Sequence, residues 1–136
     1  MDSKAATKIF EATLSASISY REKFLREVPF SFLLVTPDGN IGHVPVVPGA
    51  TEAQMVETVQ GLAVKYGAVY VLTVGEAWED RPTPTKVLMV TIEGLDLKLL
   101  ATVRISGSGG ILGQAHIVED FVGKFPNLAG QPEDYN

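Results

Sequence analysis

Seven residues in the middle of the chain, Ala68 to Val74, read Ala-Val-Tyr-Val-Leu-Thr-Val without a charge or a break. Side chains along a strand point alternately to opposite faces. A strand apolar at every position must therefore be covered on both sides. This run predicts a central strand, and the rest of the chain must supply its neighbours and two covering layers. The 136 residues suit one domain. A chain of that size buries about two thirds of its unfolded surface without staples.

The neighbours are legible as hairpins. Phe-Ser-Phe-Leu-Leu-Val-Thr and Ile-Gly-His-Val-Pro-Val-Val flank Pro37-Asp38-Gly39-Asn40. Pro37 fixes φ for a type I turn, and Gly39 suits the left-handed position after it. With Thr36 opposite Asn40, Leu34 faces Gly42, Phe32 faces Val44 and Phe30 faces Val46. That register puts Phe30, Phe32, Leu34, Val44 and Val46 on one buried face, and Ser31, Leu33, Val35, Ile41 and His43 on the other. Pro45 cannot donate to a ladder, so its strand belongs at an edge. Further on, Glu93-Gly94 reads as a two-residue turn, pairing Ile92 with Leu95, Val90 with Leu97 and Leu88 with Leu99. A shift by one residue would oppose Glu93 and Asp96. The stretch from Ile111 to Val118 is read as another strand, although Ile111, Ala115, Val118, Val122 and Phe125 also fit a helical stripe.

Two helices provide the cover. Ile9, Phe10, Leu14, Ile18, Phe24, Leu25 and Val28 recur at helical spacing until Pro29 ends the run. From Thr51 to Gly67, Met55, Val56, Val59, Leu62, Ala63 and Tyr66 form an apolar stripe. Thr51 and Gln54 make a capping box, and Gly67 suits the position after the helix. Gly61 inside it either costs about 1 kcal/mol against alanine or marks a close approach. The expected fold is a single α+β domain over residues 1–136, a mostly antiparallel sheet of five to six strands with two helices, in the order α-β-β-α-β-β-β with an optional last strand. Residues from about 126 onward read as a polar tail.

Composition narrows the function classes. The net charge is −5, and Lys and Arg are scattered, so a nucleic-acid partner is not expected. No apolar run approaches the roughly 20 residues of a membrane span, and the first ten residues lack a signal-peptide core. The absence of cysteine excludes disulfides and thiolate metal sites and fits a reducing cytoplasm. A cytoplasmic protein without cofactor or metal is the expectation.

Candidate chemistry is sparse. Gly107, Gly109, Gly110 and Gly113 lack the strand-loop-helix setting of a phosphate loop. Ser106 and Ser108 lack a nucleophile elbow. His43 and His116 stand outside any paired-ligand spacing; with Glu76, Asp80 or Glu93 they could converge on a metal. Glu76 follows the apolar strand, where desolvation can perturb a carboxylate and where a bulge at Gly75 could re-aim it. The plainer reading has Trp78, the only tryptophan, capping the core while Glu76 pairs with Arg81 or Arg104. On that reading Trp78→Ala costs about 3–5 kcal/mol.

The strand end Gly-Glu-Ala-Trp-Glu-Asp (75–80), the strand Lys86 to Gly94 and the later Gly-Lys-Phe-Pro-Asn-Leu (123–128) resemble a family of small uncharacterised bacterial and phage proteins. In that family a strand ends in a Ser-Glu-Ala-Trp-like motif and an Arg-Phe-x-Asn-Leu-like segment lies near the C-terminus. The resemblance spans Val69 to Leu128. Gly75 stands where the family has serine, so a role for that hydroxyl does not carry over. The resemblance implies a matching origin and no activity. The residues favour a non-enzymatic binding or interaction module, working as a homodimer because Leu33, Val35, Ile41, Val87, Met89 and Leu100 look like a second apolar sheet face. The alternative is a small hydrolase or metal-dependent enzyme using Glu76 with His43 or His116.

Overall fold

The computed structural model describes residues 1–79, 83–119, 121–125 and 128. The expected α+β fold is what the chain adopts. Helix α1 (Ser3–Phe24) is followed by β1 (Ser31–Val35), β2 (Ile41–Pro45), α2 (Glu52–Tyr66), β3 (Tyr70–Glu79), β4 (Thr85–Gly94), β5 (Lys98–Ile105) and β6 (Ile111–Glu119). The strands form one sheet in the order β2-β1-β3-β4-β5-β6, with every neighbouring pair antiparallel. The apolar run lies in β3, at the centre, as its two-sided burial requires. The stretch from Ile111 is a strand.

Local chemistry explains the helices. Asp2 caps α1 by accepting the Ala5 N–H at 2.9 Å. Thr51 and Gln54 close the capping box of α2 in both directions. The buried stripe of α1 is Ala6, Phe10, Leu14, Ser17 and Arg21. Phe24 and Leu25 are instead exposed, because Leu25 turns left-handed (φ 53°) and leads the chain away from the helix axis. Within α2, Gly61 makes no close approach, since a Cβ there would meet open space.

Each helix covers one face of the sheet. Helix α1 packs Phe10 and Leu14 onto Leu72, Val74, Leu88, Val90, Ala101 and Val103. On the other face, α2 packs Met55, Val59 and Ala63 with Phe32, Leu34 and Val71, joined by Phe125 and Leu128. The tail is thus anchored at Leu128, and the rest of the tail lies outside the described residues. The first hairpin has the expected register, with Phe32 opposite Val44 and Leu34 opposite Gly42.

Two expectations about the sheet are corrected. The turn after β4 is not Glu93-Gly94: Glu93 pairs with Lys98, Ile92 with Leu99, Val90 with Ala101 and Leu88 with Val103. The chain reverses at Leu95-Asp96, with the Gly94 N–H donating to the Leu97 carbonyl at 2.9 Å. Gly94 is needed inside the strand, because a side chain there would collide with the Tyr70 ring and the Val69 carbonyl. The proposed second apolar face also divides. Leu33 and Val35 pair with Leu72 and Tyr70 and so face α1, whereas Val87 and Met89 pair with Ala77 and Gly75 and face the α2 side. No bulge occurs at Gly75, where β3 and β4 pair continuously and the Phe30 ring occupies the space above the glycine.

Candidate functional site

Among the described residues, three places hold polar side chains that the patterning of a core does not require. The first is the end of β3. Glu76 follows Tyr70, Leu72 and Val74 on the α1 face, and its side chain is fully buried. Arg21, at the next helical position of the α1 stripe, brings Nε to 3.5 Å from Glu76 Oε2. Lys86 places Nζ 3.1 Å from Oε1, and the Val28 N–H donates to Oε2 at 2.8 Å. Arg104, one of the two arginines expected as partners, lies on the opposite face; Arg81 and Asp80 fall outside the described residues. The clasp joins the last turn of α1, the crossing segment and two strands. With both oxygens turned to cations and no exposed surface, the carboxylate is a fastener.

The second is the partly uncovered α2 side of β4, β5 and β6. Helix α2 lies over β1 and β3, so Met89, Leu100 and Thr102 stay only half-buried and Arg104 is exposed. Here Glu79, Thr102, Arg104, Leu112, Gln114 and His116 line a groove of about 580 Å³. It offers a guanidinium, an imidazole, a hydroxyl and an amide beside apolar Val87 and Leu112. That mixture suits recognition of a surface. The mirror-image opening on the α1 side holds a groove of about 600 Å³ between α1 and the β1–β2 hairpin, lined by Ile9, Tyr20, Leu33, Ile41 and His43.

The third is Glu93, buried on the α2 face. Its carboxylate accepts the Lys124 N–H at 2.9 Å and the Phe125 N–H at 3.4 Å. Gly123 passes so close that any side chain there would strike the carboxylate. Nearby, the Tyr70 hydroxyl donates to Asp96 at 2.6 Å, and burial together with that carboxylate raises the phenol above its ordinary range.

The candidates from the sequence therefore do not converge. Glu76 lies under α1. His43 is exposed on the edge strand β2, aligned through Leu33 with Leu72 and not with Glu76. His116 is exposed on β6 and faces the other side, opposite Thr102. Among the described residues no group of three or more His, Asp or Glu side chains is placed to hold a metal ion. Ser106 and Ser108 hydrogen-bond to each other at 2.9 Å in the β5–β6 turn. Trp78, expected in the core, is 68% exposed. It shares the α1 face with Glu76, but α1 has ended by then, so β3 outruns its cover.

Sequence reasoning missed Arg21 and Lys86. Arg21 was detectable, since it continues the spacing Phe10, Leu14, Ser17 and so had to point inward. Lys86 depended on the β3–β4 register, which sets it opposite Trp78. No helix among the described residues is long and apolar enough to cross a membrane. No protein-family model matches the chain, and neither a curated protein nor a solved structure matches it.

Proposed function

We propose that this protein is a non-enzymatic interaction module that works as a homodimer. The observation that carries the reading is the incompletely covered half of the α2 face over β4–β6. There a groove of mixed polarity adjoins Leu112 and Val118, which are 56% and 41% exposed. A domain that seals Phe10, Phe32, Leu72 and Ile92 completely has the means to bury such side chains, so leaving them on one strand marks a contact surface. A closed symmetric pair is the commonest way to cover such a surface. Among the described residues nothing comparable favours a reaction centre, because His43 stands on the edge strand away from the buried Glu76 carboxylate and His116 lies on the other face of the sheet. Light scattering at micromolar concentration tests the reading. Twice the 14.6 kDa chain mass is expected, and a purely monomeric species overturns it.

A further inference from the structure

The two edges of the sheet are built differently. Strand β2 has five residues and ends in Pro45, which lacks an N–H. Strand β6 has nine, with neither proline nor lysine, and Glu119 is its only acid. An edge strand leaves a row of N–H and C=O groups unpaired, and natural sheets normally blunt it with short length, proline or charge. Along β6 and just beyond, Leu112, Ile117, Val118 and Val122 are all exposed, Val122 at 93%.

Resting on the homodimer reading, we propose that β6 is the dimer strand, pairing antiparallel with β6 of a second copy so that the two sheets become one. The start of β6 is unsuited to pairing. Its register against β5 shifts between Thr102 and Arg104, and Gly113 is left-handed (φ 81°), so the strand is bulged there. The regular part runs from Ala115 to Glu119, and its centre, Ile117, sits on the two-fold axis. Ile117 then faces its own copy, His116 faces Val118, and Ala115 faces Glu119. This arrangement separates the two Glu119 carboxylates to opposite ends, whereas parallel pairing would set them side by side and repel. The axis stands perpendicular to the sheet, so the two Arg104–His116 grooves open on the same side. The pair presents them as one continuous surface.

The test places a charge on the axis. Ile117→Lys sets two lysine Cβ atoms about 5 Å apart across the strands, with like charges directly opposed. The dimer is expected to be lost while circular dichroism stays that of the wild type and unfolding stays cooperative, the melting temperature losing only what association contributed. Ile41→Lys, equally exposed on the other edge, should leave the dimer intact. Because the chain has no cysteine, Ile117→Cys treated with a short bis-maleimide should give a covalent dimer and Ile41→Cys should not; this holds the proposal open to refutation even if the lysine variant misfolds. A wild-type monomer overturns the homodimer reading itself. A wild-type dimer that survives Ile117→Lys, or cross-links only through Ile41→Cys, overturns the β6 assignment and leaves the dimer standing.

Discussion

The β3–β4 ribbon ends in two different ways. Where β3 begins, Glu93 is buried against the backbone N–H groups of Lys124 and Phe125, and Tyr70 closes the corner by reaching Asp96. Where β3 finishes, Glu76 is buried against the side-chain cations of Arg21 and Lys86, and Trp78 projects past them into solvent. Both ends hold a buried glutamate. One is neutralised by a buried guanidinium and a partly exposed ammonium, the other by main-chain donors that needed partners anyway. Losing the first leaves a cation stranded. Losing the second frees only amides, which water can satisfy once the strap lifts.

The largest expected effect follows from that difference. Glu76→Gln keeps the volume and can still accept from Val28, but Arg21 stays buried without a counter-charge. Removing one partner of a buried pair costs about 3–5 kcal/mol, read as a drop in the urea midpoint. This reverses the expectation for a surface pair, under about 1 kcal/mol, and that for a strained catalytic base, a gain. Replacing both partners, Arg21→Leu with Glu76→Leu, should recover most of the loss. If the single change proves neutral, the two ends are alike and the comparison fails.

Glu93→Gln comes next, at about 1.5–3 kcal/mol for hydrogen bonds to a charged acceptor. Its mark is local: faster hydrogen exchange at the amides of Lys124 and Phe125, with the β3 amides little changed. Slower exchange, or a loss shared evenly by the sheet, would contradict the strap.

Tyr70→Phe should cost about 1 kcal/mol near neutral pH, one hydrogen bond with an exposed acceptor. The alkaline limb is sharper. The folded-state phenol is raised above its ordinary value of 10.0 by burial first and by Asp96 second. Above about pH 10 the unfolded chain therefore loses this proton while the folded chain keeps it. Stability from this group is fully present below pH 10 and declines as pH rises beyond it. Comparing urea melts at pH 9 and above pH 10, the decline should be steeper in the wild type than in Tyr70→Phe. Equal slopes would remove Tyr70 from the account.

Which of these features the sequence reveals depends on their range. The central strand was legible because Ala68 to Val74 is apolar at both periodic phases, and the first register because the turn chemistry of Pro37 and Gly39 sets Thr36 opposite Asn40. The second turn was not, because Leu95, Leu97 and Leu99 repeat with period two. Sliding the pairing by one step leaves an apolar partner for Ile92 each time, so the local pattern is degenerate. What selects Leu95-Asp96 is distant: the Tyr70 ring over Gly94 and the strap that Glu93 holds. The Glu76 candidate was legible as a carboxylate at a strand end, but its role was set by Arg21, fifty-five positions earlier, which no local window joins to it.

Trp78 carries the smallest expected effect and the clearest contrast with its neighbour Glu76. The two residues differ by one step on the same face of β3, yet one side chain is sealed and the other is 68% exposed. The boundary between them is the end of α1: Leu25 turns left-handed, Val28 crosses to donate to Glu76, and nothing from the helix extends over the next position. An exposed side chain with no cavity to leave behind changes stability by no more than about 0.5 kcal/mol when truncated, so Trp78→Ala should melt as the wild type does. Because it is the only tryptophan, its fluorescence reports on this one place. Emission from the native protein should already resemble that of a solvated indole, shifting little on unfolding, and acrylamide should quench it in the folded state. A blue-shifted, poorly quenched native spectrum, or a loss of several kcal/mol on truncation, would put Trp78 back under cover and erase the boundary drawn at the end of the helix.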